Sequence, residues 1–212
     1  MKYFLLLIVF MFLICPAYAQ SAKTIVLNPP DISQGMSVMK ALTLRSSASN
    51  FDTTQLTLQD LSDLLWAANG INRPDQGKRT APSAVNAQDI DVYVSLESGM
   101  YLYDAKKHVL VEVAEGDHRK LVAARQDYVA RAPVICILVS DISKFRFGAD
   151  SLKMILAAED AGIVSQNISI FCASRGLLTR PRMTMDMTKL RDLLKLKNSQ
   201  YLMLNNPVSR KK

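Results

Sequence analysis

Leu58, Leu61, Leu64, Leu65 and Ala68 recur at helical spacing, and Thr57-Leu58-Gln59-Asp60 stands at their start. That opening has the form of a capping box, in which a hydroxyl and a carboxylate each satisfy a backbone donor of the first turn. Asn69-Gly70 closes the same helix, glycine being the residue that leaves a helix most freely. A shorter helix is expected over 37–44, where Val38, Met39, Ala41 and Leu42 supply the apolar side. Residues 20 to 35 are polar and contain proline, and read as an extended arm. From 72 to 87 the periodicity is lost among Pro, Gly, Arg and Ser, which reads as loop.

Period-two patterning takes over next. Residues 91–96 alternate as a strand, Ser98-Gly99 turns into 100–103, and 109–113 follows, so a β-meander is expected. A helix is expected over 117–130. Val134-Ile135-Cys136-Ile137-Leu138-Val139 does not alternate, which predicts a central strand covered on both faces. Over 150–175, Leu152, Ile155, Leu156, Gly162, Ile163, Ile170 and Ala173 spread apolar and small residues around much of one long helix. Such a helix is buried by its own domain or by a partner subunit. A short helix over 188–196 and a last strand over 201–204 complete one α+β domain, residues 20–212.

The first residues bear on compartment. Lys2 precedes an apolar run over 3–14, and Ala17-Tyr18-Ala19 is a small-x-small site before Gln20. That is the pattern of a secretory signal peptide cleaved after Ala19, which predicts an exported protein, periplasmic or secreted. The apolar run is shorter than the roughly 20 residues a membrane span requires. Formal net charge is +7, but the basic residues are scattered except at Arg210-Lys211-Lys212. No basic face or nucleic-acid reader emerges. Cys136 and Cys172 sit in apolar runs, and His108 and His118 have no ligand-type neighbours in sequence. Buried thiols are expected, and neither a metal enzyme nor a disulfide framework.

Three segments then carry a resemblance. The first is Arg45-Ser46-Ser47-Ala48-Ser49-Asn50-Phe51, just after a short helix. The second runs from Leu64-Leu65-Trp66-Ala67-Ala68-Asn69-Gly70 through Gly77-Lys78-Arg79-Thr80 to Ala81-Pro82-Ser83-Ala84-Val85-Asn86. The third is Glu159-Asp160-Ala161-Gly162-Ile163, followed by Arg175-Gly176-Leu177 and Pro181. In this order they resemble the nitroreductase-like FMN proteins, closest to the branch of azoline (thiazole- and oxazole-forming) dehydrogenases. The resemblance implies a mostly antiparallel sheet flanked by helices, with the long helix at a homodimer interface. It implies FMN as cofactor, its phosphate anchored by Arg45, Ser46 and Ser47. Charged donors converging on a phosphate make the strong class of hydrogen bond. Pro82, Ser83, Ala84 and Asn86 would lie against the isoalloxazine and ribityl, and Met183 with Thr184 would border flavin N5.

Four departures accompany the likeness. Ser49 stands where the family has a second basic residue, so Arg210 or Lys211 is expected to supply that contact instead. Val85 replaces a common glycine, which predicts an altered backbone path. Met183 and Thr184 replace an acidic residue and a glycine, and Asn205-Asn206-Pro207 replaces a glycine-aromatic-proline ending. The function implied is hydride or electron transfer between flavin N5 and a small organic substrate. The alternative is a flavin-binding dimer with weak or no catalysis. Export conflicts with soluble NAD(P)H as donor, which favours another donor or the oxidising direction.

Overall fold

The computed structural model describes residues 22–211; the expected signal segment lies outside them. The strands are β1 (Thr24–Val26), β2 (Ile71–Arg73), β3 (Lys78–Arg79), β4 (Ile90–Ser95), β5 (Gly99–Asp104), β6 (Val109–Glu115), β7 (Val134–Asp141), β8 (Leu177–Thr179) and β9 (Gln200–Arg210). The helices are α1 (Val38–Leu44), α2 (Leu58–Asn69), α3 (Arg119–Ala123), α4 (Asp150–Ser174) and α5 (Met187–Leu193). Seven strands form one sheet in the order β1-β6-β5-β4-β7-β9-β8, and every pairing in it is antiparallel. The small β2–β3 hairpin stands apart from it.

β7 takes the central place its composition predicts, between β4 and β9. All eight of its residues are buried, and they serve two cores in alternation. Val134, Cys136 and Leu138 join Leu61, Leu64, Ala161 and Val164 from α2 and α4. Ile135, Ile137 and Val139 join Val122 of α3 and Leu190 of α5 on the opposite face. Helices on both faces remove the polar half of the strand pattern.

Thr57 caps α2 as expected, its hydroxyl accepting from Asp60 N–H at 3.1 Å. The carboxylate does not reach back to the backbone. It accepts the Thr57 hydroxyl at 2.7 Å and pairs with Arg175 and Arg210, so tertiary charge displaces the second half of the box.

Four other expectations change. The N-terminal arm carries β1, which pairs with β6. The segment read as loop contains the β2–β3 hairpin. The helix expected over 117–130 ends at Ala123, because Ala124 turns left-handed (φ 53°) and a 3-10 turn follows at Asp127–Arg131. The last strand extends to Arg210. Asn205 and Asn206 gave no strand signal, yet the side-chain oxygen of each finds a buried partner, while Asn206 Nδ2 takes none among the described residues. Asn206 Oδ1 accepts from Ser165 Oγ at 2.9 Å, and Asn205 Oδ1 from Arg182 Nη1 at 2.7 Å.

α4 buries one stripe, Ala157, Asp160, Ala161, Val164, Ser165, Ile168, Ser169 and Cys172, against its own domain. Its other side keeps Leu152 and Ile155 exposed, and the adjoining α1 exposes Val38, Met39, Leu42 and Leu44. No helix among the described residues is long and apolar enough to cross a membrane.

Candidate functional site

The expected site residues fall into three places. Arg45, the residue that ends α1, and Ser46 and Ser47 beyond it are exposed. Ala48 N–H donates to Thr179 O at 2.9 Å, which ties this segment to β8. Beside it lies a cavity of about 270 Å³, lined by Ser46, Ser169, Cys172, Gly176, Thr179 and Lys211 among others. The side chains of Arg45, Ser46 and Ser47 take no hydrogen bond or ion pair among the described residues. Three polar groups are therefore presented to solvent with their bonding capacity intact.

Arg210 is turned elsewhere. Its guanidinium bonds Asp60 Oδ2 at 2.5 Å, and Asp60 is also held by Arg175 at 3.1 Å. Of the two terminal cations considered from sequence, Lys211 is the one that lines the cavity with Ser46.

Pro82, Ser83, Ala84 and Asn86 form a turn against the other end of α4. Ala84 N–H donates to both Asp160 carboxylate oxygens at 3.0 Å, and Ser83 Oγ accepts from Gln88 N–H at 2.9 Å. Pro82 and Asn86 stay exposed. The valine at the family's glycine position stands in the left-handed region that favours glycine: Val85 has φ 47° and Asn86 φ 57°. Asp160 and the tight turn hold a left-handed conformation that costs a β-branched residue about 1–2 kcal/mol. Val85 is 61% exposed, so it gains little by packing. Val85→Gly should raise stability by up to about 1 kcal/mol after the entropy glycine loses on folding, read as a higher thermal midpoint. A lower midpoint would show that the valine side chain matters more than the strain.

Met183 and Thr184 are exposed in the segment after β8. No hydrogen bond to either backbone N–H forms among the described residues. Their placement depends on Arg182, which sequence reading passed over. Arg182 and Asn205 exchange backbone bonds at 2.8 and 2.7 Å. The Arg182 guanidinium is buried and donates to Gln126 Oε1 (3.0 Å), Val122 O (3.4 Å), Ala123 O (3.2 Å) and Asn205 Oδ1 (2.7 Å). Burial pulls its pKa below the usual arginine value. Asn205 Nδ2 donates to Thr184 O at 3.2 Å, completing the clamp.

One chain does not bring these places together. Asp160 marks the Pro82–Asn86 turn and Cys172 the Ser46 cavity, and twelve residues of α4 at 1.5 Å each separate them by about 18 Å. The Ser46 segment and the Ser83 segment thus sit toward opposite ends of the helix whose outer side is uncovered. Sequence reading also passed over Asp89 and gave the Arg175 side chain no role. The available signal was a lone acid on an otherwise small or apolar stripe, as at Asp160. Cys136 and Cys172 are buried and free, with burial pushing Cys136 up to about 12, which keeps it an unreactive thiol.

The nitroreductase family model matches residues 42–206. The chain therefore belongs to the nitroreductase family, whose members are oxidoreductases, typically FMN-dependent and generally dimeric. A nitroreductase-type protein of Methanocaldococcus jannaschii is 28% identical over 199 residues, covering 89% of this chain and 98% of that protein. A nitroreductase-type crystal structure from Ralstonia eutropha JMP134 is 35% identical with a TM-score of 0.83, covering 93% of each chain. The fold also matches a chain of the E. coli microcin synthetase McbBCD complex, at TM-score 0.70 and 16% identity, covering 89% of this chain and 78% of that one.

Proposed function

We propose that this chain is an exported, homodimeric FMN-dependent oxidoreductase acting on a small organic substrate. The observation that carries the reading is the Arg45-Ser46-Ser47 cluster, without a side-chain partner among the described residues and set beside a cavity. A phosphate dianion suits a guanidinium, hydroxyls and the nearby Lys211, through charge-assisted bonds. The chemistry supplied by bound FMN is hydride or electron exchange at N5. The protein's own part is position. The Met183 and Thr184 amides are available to the ring, and the exposed edge of the Pro82–Asn86 turn offers an amide and backbone groups.

The separation along α4 supports a dimer, because a second copy can bring its Ser83 segment to the first copy's Ser46 segment. The exposed Ile155 of α4 and Met39 and Leu42 of α1 give that contact an apolar surface. The likeness to azoline dehydrogenases rests on Leu64–Arg73, Gly77–Thr80 and Pro82–Asn86, and points to substrate oxidation with a non-nicotinamide acceptor. Lys2, the apolar run and Ala17-Tyr18-Ala19 support action outside the cytosol, where NAD(P)H is not a ready donor.

The test is an absorption spectrum of the protein purified without its first 19 residues, before and after added FMN, with mass measured by light scattering. Flavin bands with FMN released on denaturation, on a particle of twice the chain mass, are expected. A colourless protein that takes up no FMN removes the reading. The second reading, a flavin-binding dimer without turnover, is favoured by the loss of an acidic residue at Met183. It would give a yellow protein that no donor reduces.

A further inference from the structure

Behind the Pro82–Asn86 turn two carboxylates meet inside the protein. Asp89 is fully buried and Asp160 is 2% exposed. Asp160 holds the turn through Ala84 N–H, as described above. Asp89 Oδ2 accepts from Ser140 Oγ at 2.5 Å. Its other oxygen, Oδ1, is buried and receives no hydrogen bond among the described residues, and, beyond burial, Asp160 is the neighbouring carboxyl that raises the Asp89 pKa.

Two ionised carboxylates in that arrangement are unfavourable twice over. Like charges face each other away from water, and one acceptor is left unpaired. A single proton removes both penalties. Oδ1 of Asp89, which takes no donor among the described residues, is the atom left to carry it. The groups around the pair offer no other solution. α4 contributes Asp160 itself. β7 contributes Ser140 and then Asp141, whose backbone N–H donates to Asp89 O at 3.0 Å. β4 contributes Asp91, held by Lys144 Nζ at 3.2 Å, and Lys144 also donates to Gln88 O. Arg79 Nε donates to Gln88 Oε1 at 3.0 Å. Both nearby cations are committed beside Asp89, and neither pairs with it.

We propose that Asp89 and Asp160 share one proton and through it position the Pro82–Asn86 turn, so that flavin is held more weakly once that proton is lost. This deepens the FMN reading and rests on it. Burial, the largest effect, together with Asp160 pushes the Asp89 carboxyl up to about 7, against the pull of the Ser140 hydroxyl. The folded protein then keeps a proton that the unfolded chain releases near 3.8. Stability from this group is therefore full below that value, declines as pH rises to about 7, and is level above it. Loss of the proton sets Asp160 against Asp89 and loosens its hold on Ala84.

The test compares wild type with Asp89→Asn, whose amide keeps the shape and can donate to Asp160 at every pH. Thermal unfolding of the flavin-free proteins is followed from pH 4 to pH 8, and FMN affinity is measured by fluorescence at both ends of the range in which both proteins fold. The variant should gain stability relative to wild type as pH rises to about 7. Wild-type FMN affinity should fall about fivefold or more relative to the variant over the same rise. The phosphate of FMN titrates near pH 6, but equally for both proteins, so the ratio cancels it. A stability difference that is flat with pH overturns the shared proton, whether or not FMN binds. A pH-dependent difference with a flat affinity ratio overturns the positioning role. Should Asp89→Asn fail to fold, Ser140→Ala removes the hydroxyl that favours the charged form. It should move the pH-dependent decline to higher pH, and an unmoved decline overturns the proposal.

Discussion

Arg182→Leu should lower stability by about 3–5 kcal/mol, a fall in thermal midpoint of roughly 10–15 °C for a chain of this size. Arg182 is 6% exposed and its guanidinium bonds four acceptors. Leucine fills part of the space but takes the donor away from Val122 O and Asn205 Oδ1 in the interior and one of two donors from Ala123 O and Gln126 Oε1. No carboxylate among the described residues pairs with Arg182. The ends of peptide and amide dipoles carry the whole compensation for its charge. Arg182→Lys should lie between wild type and leucine, because an ammonium on a flexible stem cannot span acceptors set out for a planar fork. Urea unfolding of the flavin-free protein measures both. A loss below about 1 kcal/mol for leucine would mean that water replaces the guanidinium, and that the Met183–Thr184 segment does not hang on it.

Arg45→Ala should do the reverse, leaving stability alone and weakening FMN. Arg45 is exposed and its side chain makes no hydrogen bond or ion pair among the described residues, so the unfolding midpoint should stay within about 0.5 kcal/mol of wild type. A hydrogen bond to a charged group contributes about 1.5–3 kcal/mol, which predicts FMN affinity lower by about 10- to 100-fold. Riboflavin, which has no phosphate, should bind both proteins alike. Fluorescence titration with the two ligands separates the outcomes. Equal losses for FMN and riboflavin would place Arg45 at the ring or at a subunit contact, and unchanged FMN affinity would remove it from the site.

The two substitutions differ because the residues were legible in different degrees. Arg45 was found from a short motif after a helix, where sequence neighbours carry the signal. Arg182 lies only one residue from Met183, yet nothing local distinguishes it from the exposed arginines around it. Its partners come from α3, the turn beyond it and β9, brought together from residues 122 to 205. The same holds for the second half of β9. Asn205, Asn206 and Pro207 have poor strand propensity, and they extend in the sheet because β7, Ser165 and Arg182 meet their backbone and amide groups.

Sequence alone determined the helices α2 and α4, the meander β4–β5–β6, the central placement of β7 and the α+β class. Those features follow from apolar periodicity and end signals, which are local and repeat over many residues. It also marked both the Arg45 segment and the Pro82–Asn86 turn, since each is a contiguous motif. The tertiary structure alone decided where α3 stops, how far β9 runs, that Arg210 faces Asp60 while Lys211 lines the cavity with Ser46, and that Val85 takes a left-handed conformation. It also placed the two motifs toward opposite ends of α4 and set Asp89 against Asp160. These depend on buried polar groups finding partners far along the chain. A desolvated charge or amide is expensive unless it is met, and which group meets it is settled only when the chain is packed.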